Sequence, residues 1–600
     1  MTSDMNTASV TVDKPTTTAP AEASQTGIVV TAEAALYVAI TGVAAVLRLW
    51  NLAASPLSAR EAAQAVAAFN GASLPAGGSP LLFSVNQWLF GVFGATVDDS
   101  GVRLAAALIG TIMVLLPCLF RSAIGRYGAL AAALMLAVSP TMVAASRSLD
   151  GSIVTAACTL AAIGWGLRFF TTQKRIDLIG LAIAIGLSLT SGPGLLTIGV
   201  VLIPALWIVY RWLASDEDRA KLKQLQQESH LVRDAVLIGG MTCLLASTML
   251  LLRPAGLAGM PEVLTAWLGA WSAVDSIGAL RLFQVLIVYE PLILFFGLAG
   301  LTMSLRRLTG LVTLLSVWAI GALIVPLLQP GRQVFDLTLA LTPLALLGGL
   351  VIDWLARDLE RHGAWRAEGL FWSVAAAVLG FAAINASRTA MGAVPTNLFL
   401  GVPLSLAASL SIGGLLLAIV VCGVFVLVIG WHATLRAAVV TLFAALSVMS
   451  FSSAWSLTQV RPANPLELLW GPAATPLDVR AMREAIEAAS RRRTGVLDQA
   501  QVAVTLPQDD PVLRWYLRDF AKAQYNAAVS DLTPIIVAPL GSTFPPFMTD
   551  SYQGQQFVTQ TVWEPSQLTD NDSLRWWLYR ESDTAPRPAQ TYVVWVKLNP

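Results

Sequence analysis

Charge is scarce in this chain. Only 12% of its residues are Asp, Glu, Lys or Arg, against 56% that are hydrophobic, whereas a soluble domain carries about 25% charged residues. A deficit of that size keeps most of the 600 residues out of water. The formal net charge is +1, so no nucleic-acid partner is expected. Cysteine is nearly absent as well. Cys118, Cys158, Cys243 and Cys422 each sit in an apolar run at no metal-ligand spacing, which fits small buried hydrophobes. His230, His362 and His432 lie in polar or connecting stretches. Neither a metal site nor a cofactor is therefore expected. Long apolar runs are missing only from the two ends. Residues 1–30, rich in Thr, Ala and Ser, read as a disordered cytoplasmic tail and not as a cleaved signal.

What is abundant is apolar sequence in segments long enough to cross a hydrocarbon core of about 30 Å. Roughly thirteen candidate spans fall near 31–50, 102–122, 127–145, 151–170, 176–190, 194–213, 234–252, 281–303, 308–328, 334–355, 369–387, 403–430 and 434–457. The first reads as a retained anchor. Basic residues gather in alternate connections: Arg121 and Arg126; Arg168, Lys174 and Arg175; Arg219, Lys221, Lys223 and Arg233; Arg306 and Arg307; Arg357, Arg361 and Arg366. The other connections hold the acids Glu61, Asp98, Asp99, Asp150, Glu262 and Asp275. By the positive-inside rule the N-terminus is cytoplasmic, and the long loop 51–101 lies outside.

From about residue 458 charge and proline return. Residues 476–493 read as an amphipathic helix, and Val502–Val504, Ile535–Val537 and Tyr592–Val596 as strands. Val512–Phe520 and Ser573–Arg580 read as short helices. The expected architecture is an α-helical polytopic membrane domain over 31–457 with an extracytoplasmic α/β domain over 458–600. The tail carries no nucleophile elbow, P-loop or dinucleotide fingerprint.

Ionisable residues at a membrane face are costly unless a cavity or partner accommodates them. Glu61, Asp98, Asp99 and Asp150 are therefore site candidates, although loop solvation and helix capping explain such residues equally well. Glu290, in Tyr289-Glu290-Pro291 within an apolar span, faces the bundle interior or a hydrated path. Arg253, Arg281, Arg332 and Arg388 fall at outer helix ends, where guanidinium groups suit a lipid-linked phosphate or simply snorkel.

The order of parts resembles a known family. An anchor span leads through RLWNL (48–52) and SPL (55–57) to Glu61, and then to DDSGVRLAAALIGT (98–111) and AVSPTMVAASRSLDG (137–151). This resembles the GT-C superfamily of membrane glycosyltransferases, nearest to its protein O-mannosyltransferase and aminoarabinose-transferase type. The VYEP span and the tail stretches DDPVLRWYLRDF (509–520) and LRWWLYR (574–580) resemble an uncharacterised prokaryotic subgroup. The resemblance implies an enzyme that moves a sugar from a polyprenyl-phosphate donor to a glycan, lipid or protein hydroxyl on the outer face. It places the base in the first loop, where the family carries an Asp-Glu pair and this chain has Arg60-Glu61. Glu61 carries over as the base, with Asp98, Asp99 or Asp150 sharing the role, and Arg60, Arg103, Arg147, Arg281, Glu290 and Arg332 surround the substrates. Two other readings stay open. One is a non-catalytic assembly factor, favoured by Arg60. The other is a transporter or flippase for a polyprenyl-linked glycan, which predicts internal repeats that are not evident.

Overall fold

The computed structural model describes residues 31–252, 256–257, 259–274, 277–306, 309–363, 365–392, 395–399, 402–505, 509–527, 530, 532–542, 551–568 and 570–598. Residues 1–30, Arg253, Asp275 and Arg307 lie outside the described residues.

Ten described helices are long and apolar enough to cross a membrane, or up to twelve when two bent pairs count as spans. The expectation of roughly thirteen fails at 176–190. That stretch is a helix of 14 residues, Arg175–Ser188, which reaches ~21 Å and is ended by the Ser191-Gly192-Pro193 break. The central element is Thr338–His362, whose window is the most buried of all the spans. Small residues let its neighbours approach backbone to backbone. A Cβ on Gly300 would fall 2.1 Å from the Leu347 carbonyl oxygen, and one on Gly128 would fall 2.8 Å from that of Gly349. This is close packing of the kind by which helices associate without a hydrophobic drive between them.

Both bent pairs break at proline. Arg126–Val138 and Pro140–Ser146 meet at 63°, and Ala279–Tyr289 and Pro291–Ser304 at 97°. Proline at the first helical position lacks an N–H that would be unsatisfied anyway. The two breaks are tied together by Glu290, which accepts from Ser139 Oγ at 2.7 Å and from the Thr141 N–H at 2.8 Å. Glu290 thus caps one break from within the other, instead of lining a hydrated path.

At one end of the bundle four elements frame the loop 51–98: α1 (Ala32–Leu49), α2 (Ala59–Phe69), α3 (Pro80–Phe93) and α4 (Asp99–Met113). At the same end sits the C-terminal region. A hairpin the sequence did not announce, β1 (Pro395–Phe399) and β2 (Val402–Ser405), precedes the last two spans. The tail itself folds as a helix, Asp478–Thr494, on a five-stranded mixed sheet. Its strands are β3 (Val502–Val504), β4 (Ala523–Tyr525), β5 (Ile535–Pro539), β6 (Tyr552–Val562) and β7 (Arg587–Lys597). They lie in the order β4-β3-β5-β7-β6. The three expected strands are present. β4 and β6 were not expected, because β6 reads YQGQQFVTQTV, too polar to stand out as a strand, and lies at the sheet edge.

The tail docks through buried polar latches. Asp99 accepts from Trp515 Nε1 (2.7 Å), Tyr516 Oη (2.9 Å) and Arg480 Nη2 (2.7 Å). Tyr516 in turn accepts from the Leu57 N–H at 3.1 Å. Elsewhere Arg580 Nε lies 3.2 Å from both the Tyr289 hydroxyl and Glu467, and the Arg281 guanidinium donates to the carbonyls of Leu468 and Trp470. Tyr516→Phe strands the Leu57 N–H and one Asp99 lone pair, so it is expected to cost about 1–3 kcal/mol. The fall should appear as a lower melting temperature and faster proteolysis between residues 458 and 478. Wild-type melting in this variant would mean the latch is idle.

Candidate active site

α2 begins with a capping box. Ser58 Oγ receives the Glu61 N–H at 3.4 Å, while Glu61 Oε2 receives the Ser58 N–H and the Ser58 hydroxyl at 2.9 Å each. The spacing Ser-x-x-Glu is the sequence signature of that motif. The rest of the Glu61 carboxylate is also engaged. Arg103 on α4 grips it bidentately, Nε to Oε1 and Nη2 to Oε2, both at 2.8 Å, and the Leu149 N–H donates to Oε1 at 3.1 Å. Burial pushes the acid towards its neutral form. The Arg103 guanidinium, with the bonds from Ser58 and Leu149, outweighs this and holds it below the usual carboxylate range.

Arg103 is spent in the same way. Its remaining N–H groups go to the carbonyls of Leu52, Ser55 and Pro56 and to the Ser55 hydroxyl. Arg147 donates to the carbonyls of Leu47, Arg48, Trp50 and Asn51, closing the C-terminal end of α1. Arg332 donates to the carbonyls of Pro326, Ile277 and Leu327. The guanidinium groups expected to meet a lipid phosphate are thus turned onto backbone. Arg388 is exposed on the helix Trp365–Ala390.

Around this scaffold lies a cavity of 240 Å³, lined by Ser58, Arg60, Glu61, Asp150, Gln333, Phe335 and, from the tail, Leu469, Pro472, Thr475 and Gln560. A second cavity of 70 Å³ shares Arg60, Asp150 and Gln333 and adds Asp336, Gln329, Trp267 and Pro193. Glu61 and Asp150 therefore border one space. Asp98 and Asp99 line none of the described cavities. Asp98 caps α4 by accepting from the N–H groups of Ser100 (3.1 Å) and Gly101 (3.0 Å), and Asp99 holds the tail.

Three ionisable groups in this space keep capacity for a ligand. Asp150 caps the helix Gly151–Thr172 with one oxygen, accepting from the Ser152 N–H at 2.8 Å. Its other oxygen has no protein donor among the described residues. Asp336 accepts from the Gln333 N–H at 2.8 Å through Oδ2 and lies within electrostatic reach of both Asp150 and Arg60. Arg60, exposed at the second position of α2, makes no hydrogen bond or ion pair among the described residues. A cation and two carboxylates thus line one cavity, and Arg60 and Asp150 also line the larger cavity that Leu469–Thr475 of the tail closes. Asp336 was missed in the sequence. Its available signal was an acid at the start of an apolar span, the same cue that flagged Asp150.

Residues 78–245 match the family model for dolichyl-phosphate-mannose-protein mannosyltransferase. No curated protein matches the chain in sequence. Among solved structures, ArnT from Cupriavidus metallidurans in the apo state aligns at TM-score 0.51 and 15% identity, covering 85% of this chain and 94% of that one. The same protein bound to undecaprenyl phosphate aligns at TM-score 0.49 and 15% identity, covering 84% and 93%. The apo oligosaccharyltransferase of Archaeoglobus fulgidus aligns at TM-score 0.42 and 14% identity, covering 83% and 64%. With its bent and straight spans, the loop helices α2 and α3 and the docked tail, this chain shares the fold of ArnT.

Proposed function

We propose that the chain transfers a sugar from a polyprenyl-phosphate donor to an acceptor hydroxyl, in the cavity bordered by Arg60, Asp150 and Asp336. The observation that carries the reading is the unengaged cation and two half-engaged carboxylates that line one cavity of the bundle, next to the cavity that the tail closes and sharing Arg60, Asp150 and Gln333 with it. The match of residues 78–245 to the mannosyltransferase family model supports the donor class. Alternating basic residues support an extracytoplasmic position for this end of the bundle, where the chain would act in envelope glycosylation.

The reaction is a direct displacement. Asp150 takes the proton of the acceptor hydroxyl, whose oxygen bonds to the anomeric carbon. The bond from that carbon to the donor phosphate breaks, and the phosphate leaves on its lipid with the developing charge met by Arg60. Asp336 orients the acceptor or the sugar hydroxyls. Glu61 and Arg103 hold α2 so that Arg60 projects into the cavity.

Purified protein should transfer from one or more polyprenyl-phosphate sugars and from no nucleotide sugar, and transfer from nucleotide sugars alone would sink the proposal. Arg60→Asp restores the family's acidic pair and removes the cation. With Arg60 on the donor phosphate, this change should weaken donor binding by about tenfold or more, read as a rise in KM or Kd. A rise in activity would instead identify Arg60 as a loss-of-function departure from the family.

A further inference from the structure

The largest described cavity is remote from this site. It has a volume of 550 Å³ and lies between the helix Asp478–Thr494 and the β6–β7 end of the sheet. Ala485, Ala488 and Ala489 present a small-residue face from the helix, and Val594 and Val596 form the opposite wall. The rim carries Arg492, Arg493, whose guanidinium donates to the Lys597 carbonyl, and the Lys597 side chain, with the amides of Gln553 and Gln555, and no carboxylate of the described residues lines it. Of the acids on the same helix, Glu487 is held by Arg483 at 2.6 Å.

We propose that this groove binds an anionic glycan chain, and that β6 leads the chain to the transfer cavity as the acceptor. A cleft lined by one sign of charge focuses its field and concentrates counter-charged ligands. Amide side chains match sugar hydroxyls, and small apolar walls match the faces of sugar rings. The arrangement is a concave trough, which suits a chain lying within it better than a flat layer of lipid headgroups. Its far end is defined as well. From Gln555 in the groove to Gln560 at the cavity mouth, β6 runs five residues, ~17 Å of extended strand. Gln560 therefore marks where the bound chain would present a hydroxyl. The assignment of acceptor rests on the transferase reading. The groove's preference for an anionic chain does not.

The test uses full-length protein in nanodiscs of neutral lipid, with fluorescent polygalacturonate dodecamers as probe and dextran dodecamers as the uncharged control. Without donor present, the acidic oligomer should bind and the neutral one should not. Binding should weaken steeply with salt, and Arg492→Gln with Lys597→Gln should reduce affinity by about tenfold or more at unchanged melting temperature. Inorganic phosphate at equal charge should not displace the oligomer, because an isolated anion does not span the trough. Equal binding of dextran, full competition by phosphate, or indifference to the paired substitution would each overturn the proposal. Asp150→Asn should leave binding at the wild-type level. Loss of transfer with intact oligomer binding, and loss of binding with intact transfer, therefore separate the two readings.

Discussion

Glu61→Gln is expected to destabilise the fold by about 3–5 kcal/mol, the usual cost of removing one partner of a buried ion pair. Glutamine keeps the shape of the side chain and one acceptor oxygen. It leaves the Arg103 guanidinium charged in a site that is 3% exposed, and its amide N–H groups oppose donors that the second carboxylate oxygen had accepted. A carboxylate that merely capped α2 would cost only about 0.5–2 kcal/mol, so the size of the fall discriminates. The pH dependence discriminates further. The folded-state pKa of Glu61 lies below its unfolded value, so its stabilising contribution is fully present above the unfolded value of about 4.3. That contribution is lost as pH falls through the folded value. The wild type should therefore shed stability on acidification below about pH 5, and Glu61→Gln should show a flatter acid limb. Removing both partners, in Glu61→Gln with Arg103→Gln, should recover part of the loss because no orphan charge remains. Turnover per folded molecule should stay within about tenfold of wild type, well short of the loss of a general base. A melting curve unchanged in Glu61→Gln, with transfer abolished, would return the base to Glu61.

Two physical reasons decide how far such roles are legible in the sequence. The architecture is set by hydropathy run length and by the placement of Lys and Arg, both one-dimensional quantities. The spans over 102–122, 151–170, 334–355 and 403–430 therefore reappear as helices, and the tail's β3, β5 and β7 fall where β-branched and aromatic residues cluster. What a guanidinium touches is not one-dimensional. Arg60, Arg103, Arg147 and Arg332 look alike as positive charges near helix ends, yet three of them close backbone carbonyls, and Arg60 makes no such bond among the described residues. Helices that break inside a bundle leave orphan carbonyls, and arginine satisfies several at once. Adjacent carboxylates are equally divided. Asp98 and Asp99 are neighbours in sequence, but one caps a helix and the other anchors the tail. That difference depends on Trp515 and Tyr516, more than four hundred residues away in the chain. Ser58-x-x-Glu61 has the spacing of a capping box, a local signal that ties Glu61 to the start of α2 without any distant partner.

Asp150→Asn should lower transfer by about 10²–10⁴-fold, the range for loss of a general base, while leaving the fold almost untouched. The substitution separates two roles that this side chain holds at once. As the cap of Gly151–Thr172, Asp150 uses one oxygen to receive the Ser152 N–H. Asparagine is as good a cap as aspartate, so its carbonyl oxygen replaces that contact, and the melting temperature should change little. As a base, Asp150 uses the other oxygen, and the amide nitrogen that replaces it cannot accept a proton. Asp150→Ala removes both roles and should add about 0.5–2 kcal/mol of instability to the same loss of transfer. Donor binding should survive in both variants, since the phosphate is assigned to Arg60, so the change should fall on kcat with KM nearly constant. The neighbouring Asp336 supplies the internal control. It borders the same cavity with one oxygen engaged by Gln333, so Asp336→Asn keeps the local turn and alters only the ionisable group. With Asp150 as base, Asp336→Asn should raise KM or lower kcat only modestly. The opposite pattern, full transfer by Asp150→Asn and loss in Asp336→Asn, would move the base across the cavity to Asp336. Wild-type transfer by both variants would end the proposal that this pair of carboxylates does the proton transfer.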